Sequence, residues 1–173
     1  LNFFYSNPDG TLKPPVNFVT VGNNPKNVIT TDLNKDGKLD IIVTSSTDMQ
    51  FAVLLGSGNG NISSAGLYPS ANKFMQSAGT GDVNNDGKMD MVGLSPNNEI
   101  IVFLGKGDGT FLPNPNTYTT GVSPTAIVVT DVDGDKNVDV LVTNQQGASI
   151  SPRRNVATAG LRPHRRTPGA RRG

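Results

Sequence analysis

The sequence has no cysteine, no tryptophan and a single histidine, His164. Without cysteine, neither a disulfide framework nor a zinc–thiolate site is available. The one histidine falls within the last 23 residues, so a Ser-His-Asp or Cys-His centre is excluded from residues 1–150. Long apolar runs are missing too. The longest, Phe51–Leu55 and Ile100–Leu104, fit strands and fall far short of the roughly 18 residues of a membrane helix. No insertion into a membrane is expected. Arginine is absent from residues 1–150, and all seven arginines (Arg153, Arg154, Arg162, Arg165, Arg166, Arg171 and Arg172) lie beyond. Acidic residues are absent from 151–173. The formal charge of +1 therefore joins two unlike parts: a body with 14 acids against 8 lysines, net −6, and a basic tail.

What is present is turn chemistry: 20 Gly, 12 Pro and many Asn, Asp, Ser and Thr. No segment carries a sustained helical period with caps, so the chain reads as all-β. Three segments align without gaps: DLNKDGKLD at Asp32–Asp40, DVNNDGKMD at Asp82–Asp90 and DVDGDKNVD at Asp131–Asp139. Their starts lie 50 and 49 residues apart. A second element keeps the same spacing: Asp9-Gly10-Thr11-Leu12, Asn59-Gly60-Asn61-Ile62 and Asp108-Gly109-Thr110-Phe111. Two motifs with one period define a structural repeat.

Strand-like segments keep step with it. Asn27–Thr31, Ser77–Gly81 and Ala126–Thr130 precede the acidic segments, and apolar runs starting at Ile41, Met91 and Val140 follow them. Phe51–Leu55 and Ile100–Leu104 come next, ending at Gly56 and Gly105, and weaker strands are expected near Ala65–Tyr68 and Asn116–Thr120. Four strands in about 50 residues match one propeller blade, and continuous apolar runs suit strands covered on both faces. The expected architecture is a β-propeller fragment of four-stranded antiparallel blades, about three blade equivalents. Residues 1–21 are a half blade, 22–70 and 71–120 whole blades, 121–150 a half blade, and 151–173 an Arg-rich disordered tail. Since propellers close with four to eight blades, the segment is expected to be part of a larger propeller.

The acidic segments suit a hard dication, which takes six to eight oxygens. Side-chain oxygens at segment positions 1, 3, 5 and 9, with the carbonyl of position 7, supply such a shell. In the first segment these are Asp32, Asn34, Asp36, Asp40 and the carbonyl of Lys38. In the second they are Asp82, Asn84, Asp86, Asp90 and the carbonyl of Lys88. In the third they are Asp131, Asp133, Asp135, Asp139 and the carbonyl of Asn137. Gly37 and Gly87 at position 6 permit the turn around an ion, and Lys136 stands there in the third segment. Ten of the fourteen acids lie in these segments, where they would repel one another without a cation. An EF-hand does not fit: its position 12 is Val43, Gly93 and Val142 here, and the flanks are strands.

The paired motifs resemble the FG-GAP/VCBS repeats of integrin-α-type β-propellers. D-x-[ND]-x-D-G-x-x-D between strands and the turn L-G-K-G-D-G-T-F at Leu104–Phe111 carry the likeness, which covers residues 1–150. The resemblance implies that each acidic segment joins the first two strands of a blade and holds Ca²⁺ through the residues named. It also implies an extracellular, non-catalytic module for recognition or adhesion whose ligand is a protein or a carbohydrate. A scaffold or accessory segment of a larger secreted enzyme is the other reading. Glu99 is read as a solvated loop residue and not as a catalytic acid. No nucleic-acid partner is expected, because the basic tail has no aromatic residue for base stacking.

Overall fold

The computed structural model describes residues 2–14, 16–17, 21–70, 73–146, 149–154 and 162–163. Among these residues there is no helix. A short antiparallel pair, β1 (Asn2–Phe3) and β2 (Val16–Asn17), comes first. The first four-stranded sheet holds β3 (Pro25–Thr31), β4 (Asp40–Ser45), β5 (Gln50–Gly56) and β6 (Ile62–Pro69). The second holds β7 (Ser77–Gly81), β8 (Asp90–Ser95), β9 (Glu99–Phe103) and β10 (Asn116–Thr119). The third holds β11 (Pro124–Thr130), β12 (Asp139–Asn144), β13 (Ser149–Arg154) and β14 (Arg162–Pro163). Within each four-stranded sheet every strand pairs antiparallel with the next, so each is a meander with the strand order of a blade.

The cores lie between the sheets, which explains the unbroken apolar runs. Every residue of β4 and of β8 is buried. Side chains alternate faces along a strand. Ile41 and Val43 of β4 point back toward Val21 and Phe3, while Ile42 between them joins Met91, Ile101 and Phe103 of the second sheet. In the second sheet Val92 and Val102 turn forward to meet Ile127, Val140 and Val142 of the third. Phe51 stacks on Tyr68 with centroids 5.0 Å apart and meets Phe103 and Phe111 edge-on. Each sheet is thus cemented to the next by side chains that a single sheet could not bury.

The first strands of successive sheets face one another, β3 against β7 and β7 against β11. Small residues allow this approach. A Cβ on Gly79 or Gly81 of β7 would fall 2.9 or 2.7 Å from methyl carbons of Val129 on β11. The same stacking aligns the three acidic segments on one end of the assembly, since each joins the first strand of its sheet to the second.

The second repeated element forms a turn held by its own side chains. Asp9 Oδ1 accepts from the N–H and hydroxyl of Thr11, and Asp108 Oδ1 does the same with Thr110. Gly10, Gly60 and Gly109 take φ of 84°, 90° and 82°, the left-handed region that favours glycine.

One expectation differs from the structure. Glu99 is not a solvated loop residue: it opens β9, and its carboxylate pairs with the Lys73 ammonium, both side chains about three-quarters covered. Lys73 lies 26 positions away, which no local pattern reports. At the start of the basic segment the described residues continue the third sheet. Ser149–Arg154 pairs along β12, and Arg162–Pro163 pairs with its end. The edge of β12 offers unpaired backbone groups, which accept a strand whatever its side chains. The remaining residues of the expected tail lie outside those described.

Candidate metal centre

The acidic segments link β3 to β4, β7 to β8 and β11 to β12, as bends between the first and second strands. In the first, the Asp36 N–H donates to Asp32 Oδ1 and Asn34 Oδ1, both at 3.1 Å, and the Gly37 N–H donates to Asp32 Oδ2 at 2.8 Å. The second repeats this with Asp86, Asp82, Asn84 and Gly87 at the same distances. In the third, the N–H groups of Gly134 and Lys136 donate to Asp131, and that of Asp135 to Asp133 Oδ1. Backbone donors therefore gather the side-chain oxygens of positions 1 and 3 on the inside of each loop.

Position 9 has a different role from the other three. Asp40, Asp90 and Asp139 are buried, at 0%, 0% and 4% exposure. Asp90 Oδ2 accepts from Val83 N–H at 3.0 Å, and its Oδ1 accepts from Gly105 N–H at 2.8 Å. Asp40 is held alike by Leu33 and Gly56. This carboxylate clasps the start of its own loop to the end of the third strand. The glycine is needed there because a Cβ on Gly56 or Gly105 would lie 2.1 Å from the carbonyl oxygen of Leu39 or Met89. Asp139 accepts from Val132 N–H at 3.2 Å. In the sequence, Arg154 and Asn155 stand at the positions where the repeat spacing would place the glycine.

Each loop takes two left-handed residues, at positions 4 and 6. In the first they are Lys35 (φ 59°) and Gly37 (82°), in the second Asn85 (57°) and Gly87 (83°), in the third Gly134 (80°) and Lys136 (71°). Lys136 adopts the conformation that glycine takes elsewhere, and in exchange Gly134 relieves position 4. Every loop thus carries one non-glycine residue in this region, and the third bears no extra backbone strain. Position 4 is invisible to a search for one conserved turn glycine; only Asn85 and Gly134 carry a signal for it.

The donor set fits a hard cation best in the third loop. Carboxylate oxygens of Asp131, Asp133 and Asp139 lie within 4.8 Å of one another, the one such group of acids among the described residues; it does not include Asp135. The first and second loops have Asn34 and Asn84 at position 3, and there a lysine serves the position-5 carboxylate. Lys38 Nζ lies 3.4 Å from Asp36 Oδ2, and Lys88 Nζ 3.5 Å from Asp86 Oδ2. The third loop has Asn137 at that place. All these donors are oxygens, the choice of Ca²⁺ over softer metals.

Charge in the second loop follows burial. Burial pushes the Asp90 carboxyl up to about 6, against the N–H groups of Gly105 and Val83, with the charges of Asp86 and Asp82 adding to the rise. For Asp86, partial burial raises the pKa, but the Lys88 N–H, the Asn84 amide and the Lys88 ammonium outweigh it and hold the carboxyl below its usual range. Asp36 follows the same balance with Lys38 and Asn34.

The family model described as an FG-GAP-like repeat matches this chain twice, over residues 32–93 and 82–142. Each match runs from one acidic loop through the next, and the two share the second loop. No curated protein matches the chain.

Proposed function

The chain belongs to the FG-GAP-like repeat family, and from that premise we propose that it is a calcium-binding, non-catalytic recognition module of the extracellular space, with a protein or a glycan as ligand. The observation that carries the calcium assignment is the convergence of Asp131, Asp133 and Asp139 at the same end of the sheets as two further loops of matching hydrogen-bond pattern. The three loops carry net charges of −1, −2 and −3, which a dication offsets. Sites built on short surface loops suit the 10⁻⁴–10⁻³ M affinity range of extracellular modules, and millimolar calcium is available outside cells. A non-catalytic role is favoured because most acids are engaged in these loops and Glu99 is tied to Lys73.

The test is thermal unfolding in EDTA and in about 10 mM calcium. Ions that bind only the folded loops stabilise the fold by mass action, by about 1.4–2.7 kcal/mol per site at 10 to 100 times Kd, and so raise the melting temperature. Coincident melts under the two conditions would remove the calcium assignment, and with it the main support for this function.

A further inference from the structure

Two side chains cross the gaps between neighbouring acidic loops, and both come from position 4. Lys35 of the first loop sends its ammonium to the carbonyl oxygen of Gly87 in the second, at 2.5 Å. Asn85 of the second sends its amide to the side-chain oxygen of Asn137 in the third. The left-handed backbone at both residues, φ 59° and 57°, goes with a side chain that leaves its own loop for the next one. Lys35 and Asn85 are exposed, so neither contact is needed to fill a core. Position 4 of the third loop is Gly134, which has no side chain to extend.

These contacts have opposite electrostatic character. Lys35 places a full positive charge against a loop of net charge −2, acting as a built-in counter-ion for the second loop. A dication entering that loop meets this charge as repulsion. Asn85 brings no charge. It fixes Asn137, the residue whose backbone carbonyl would serve as a ligand, and so lowers the ordering needed when an ion binds.

We propose that the calcium affinity of the second and third loops is tuned across the blade boundary by position 4 of the preceding loop: Lys35 weakens the second site, and Asn85 strengthens the third. This rests on the calcium reading above. Both are positioning residues, since neither supplies an oxygen to the ion at the site it controls.

The test is a calcium titration of the whole chain followed by ¹⁵N–¹H NMR, in which the amides of Gly37, Gly87 and Gly134 report the three loops separately. Lys35→Gln keeps most of the stem and removes the charge. It should tighten the second site by roughly three- to tenfold at low salt, with the gain shrinking as salt is raised. Asn85→Gly keeps the left-handed backbone and removes the amide. It should weaken the third site by roughly threefold or more, in a manner insensitive to salt. Melts in EDTA should match the parent for Lys35→Gln and show no loss of stability for Asn85→Gly, which separates these effects from loss of fold. If calcium moves all three glycine amides while the second site ignores Lys35→Gln and the third ignores Asn85→Gly, the proposal fails and the calcium reading stands. A Lys35→Gln effect confined to Gly37 also overturns it, because the charge would then act only within its own loop. If calcium moves none of the three amides, both fall together.

Discussion

Asp90 offers the sharpest link between burial and metal binding. Its carboxyl is fully buried and sits at about 6, against an ordinary 3.8. The difference corresponds to about 3 kcal/mol between the two protonation states. The folded protein holds this proton more tightly than the unfolded chain. In the metal-free protein the group's stabilising share is therefore complete below about pH 3.8 and is lost as pH rises through 6. Calcium reverses the preference, because a ligating carboxylate must be ionised. Between pH 7.5 and pH 5, competition with a proton of pKa about 6 should weaken calcium at the second loop about tenfold. At pH 6 the loop should release about half a proton per ion bound. Calorimetry in two buffers of different ionisation enthalpy measures that release, and the Gly87 amide gives the site affinity. An affinity at this loop that is level from pH 5 to 7.5, with no proton released at pH 6, would refute the link between Asp90 and the ion.

Other outcomes follow from the same geometry. Among Asp36→Ala, Asp86→Ala and Asp135→Ala, calorimetry should find that the last removes the tightest site, since the third loop has the most carboxylates and the most negative net charge. Lys136→Gly should raise metal-free stability by about 1 kcal/mol by relieving a left-handed lysine, and Gly134→Ala should lower it by a similar amount. At Gly134 an added Cβ meets nothing within 4 Å, so the cost would be conformational alone. Gly105→Ala should cost more, about 2–4 kcal/mol in urea unfolding, because its Cβ would lie 2.1 Å from the Met89 carbonyl oxygen and displace the N–H that Asp90 accepts. Equal stability of Gly105→Ala and wild type would mean that the clasp at position 9 contributes little.

The sequence by itself determined the repeat, the strand order and the loops that carry oxygen donors. Those features are local: alternation along a strand, turn residues at fixed offsets, and Asp or Asn at positions 1, 3, 5 and 9 of a nine-residue segment. It also indicated that β4 and β8 are covered on both faces, because Ile41-Ile42-Val43 and Met91-Val92 have no polar side. Only the tertiary structure decided what the same residue types do once sheets are stacked. Asp40 and Asp90 were legible as ligand candidates, yet their bonds to Gly56 and Gly105, 16 and 15 residues downstream, make them structural clasps as well. Lys35 and Asn85 reach 52 positions along the chain. Glu99 gained Lys73 in the same way. Each of these contacts depends on the distance and angle between elements brought together by the interleaved cores, and no periodicity within one repeat encodes how the next repeat will sit against it.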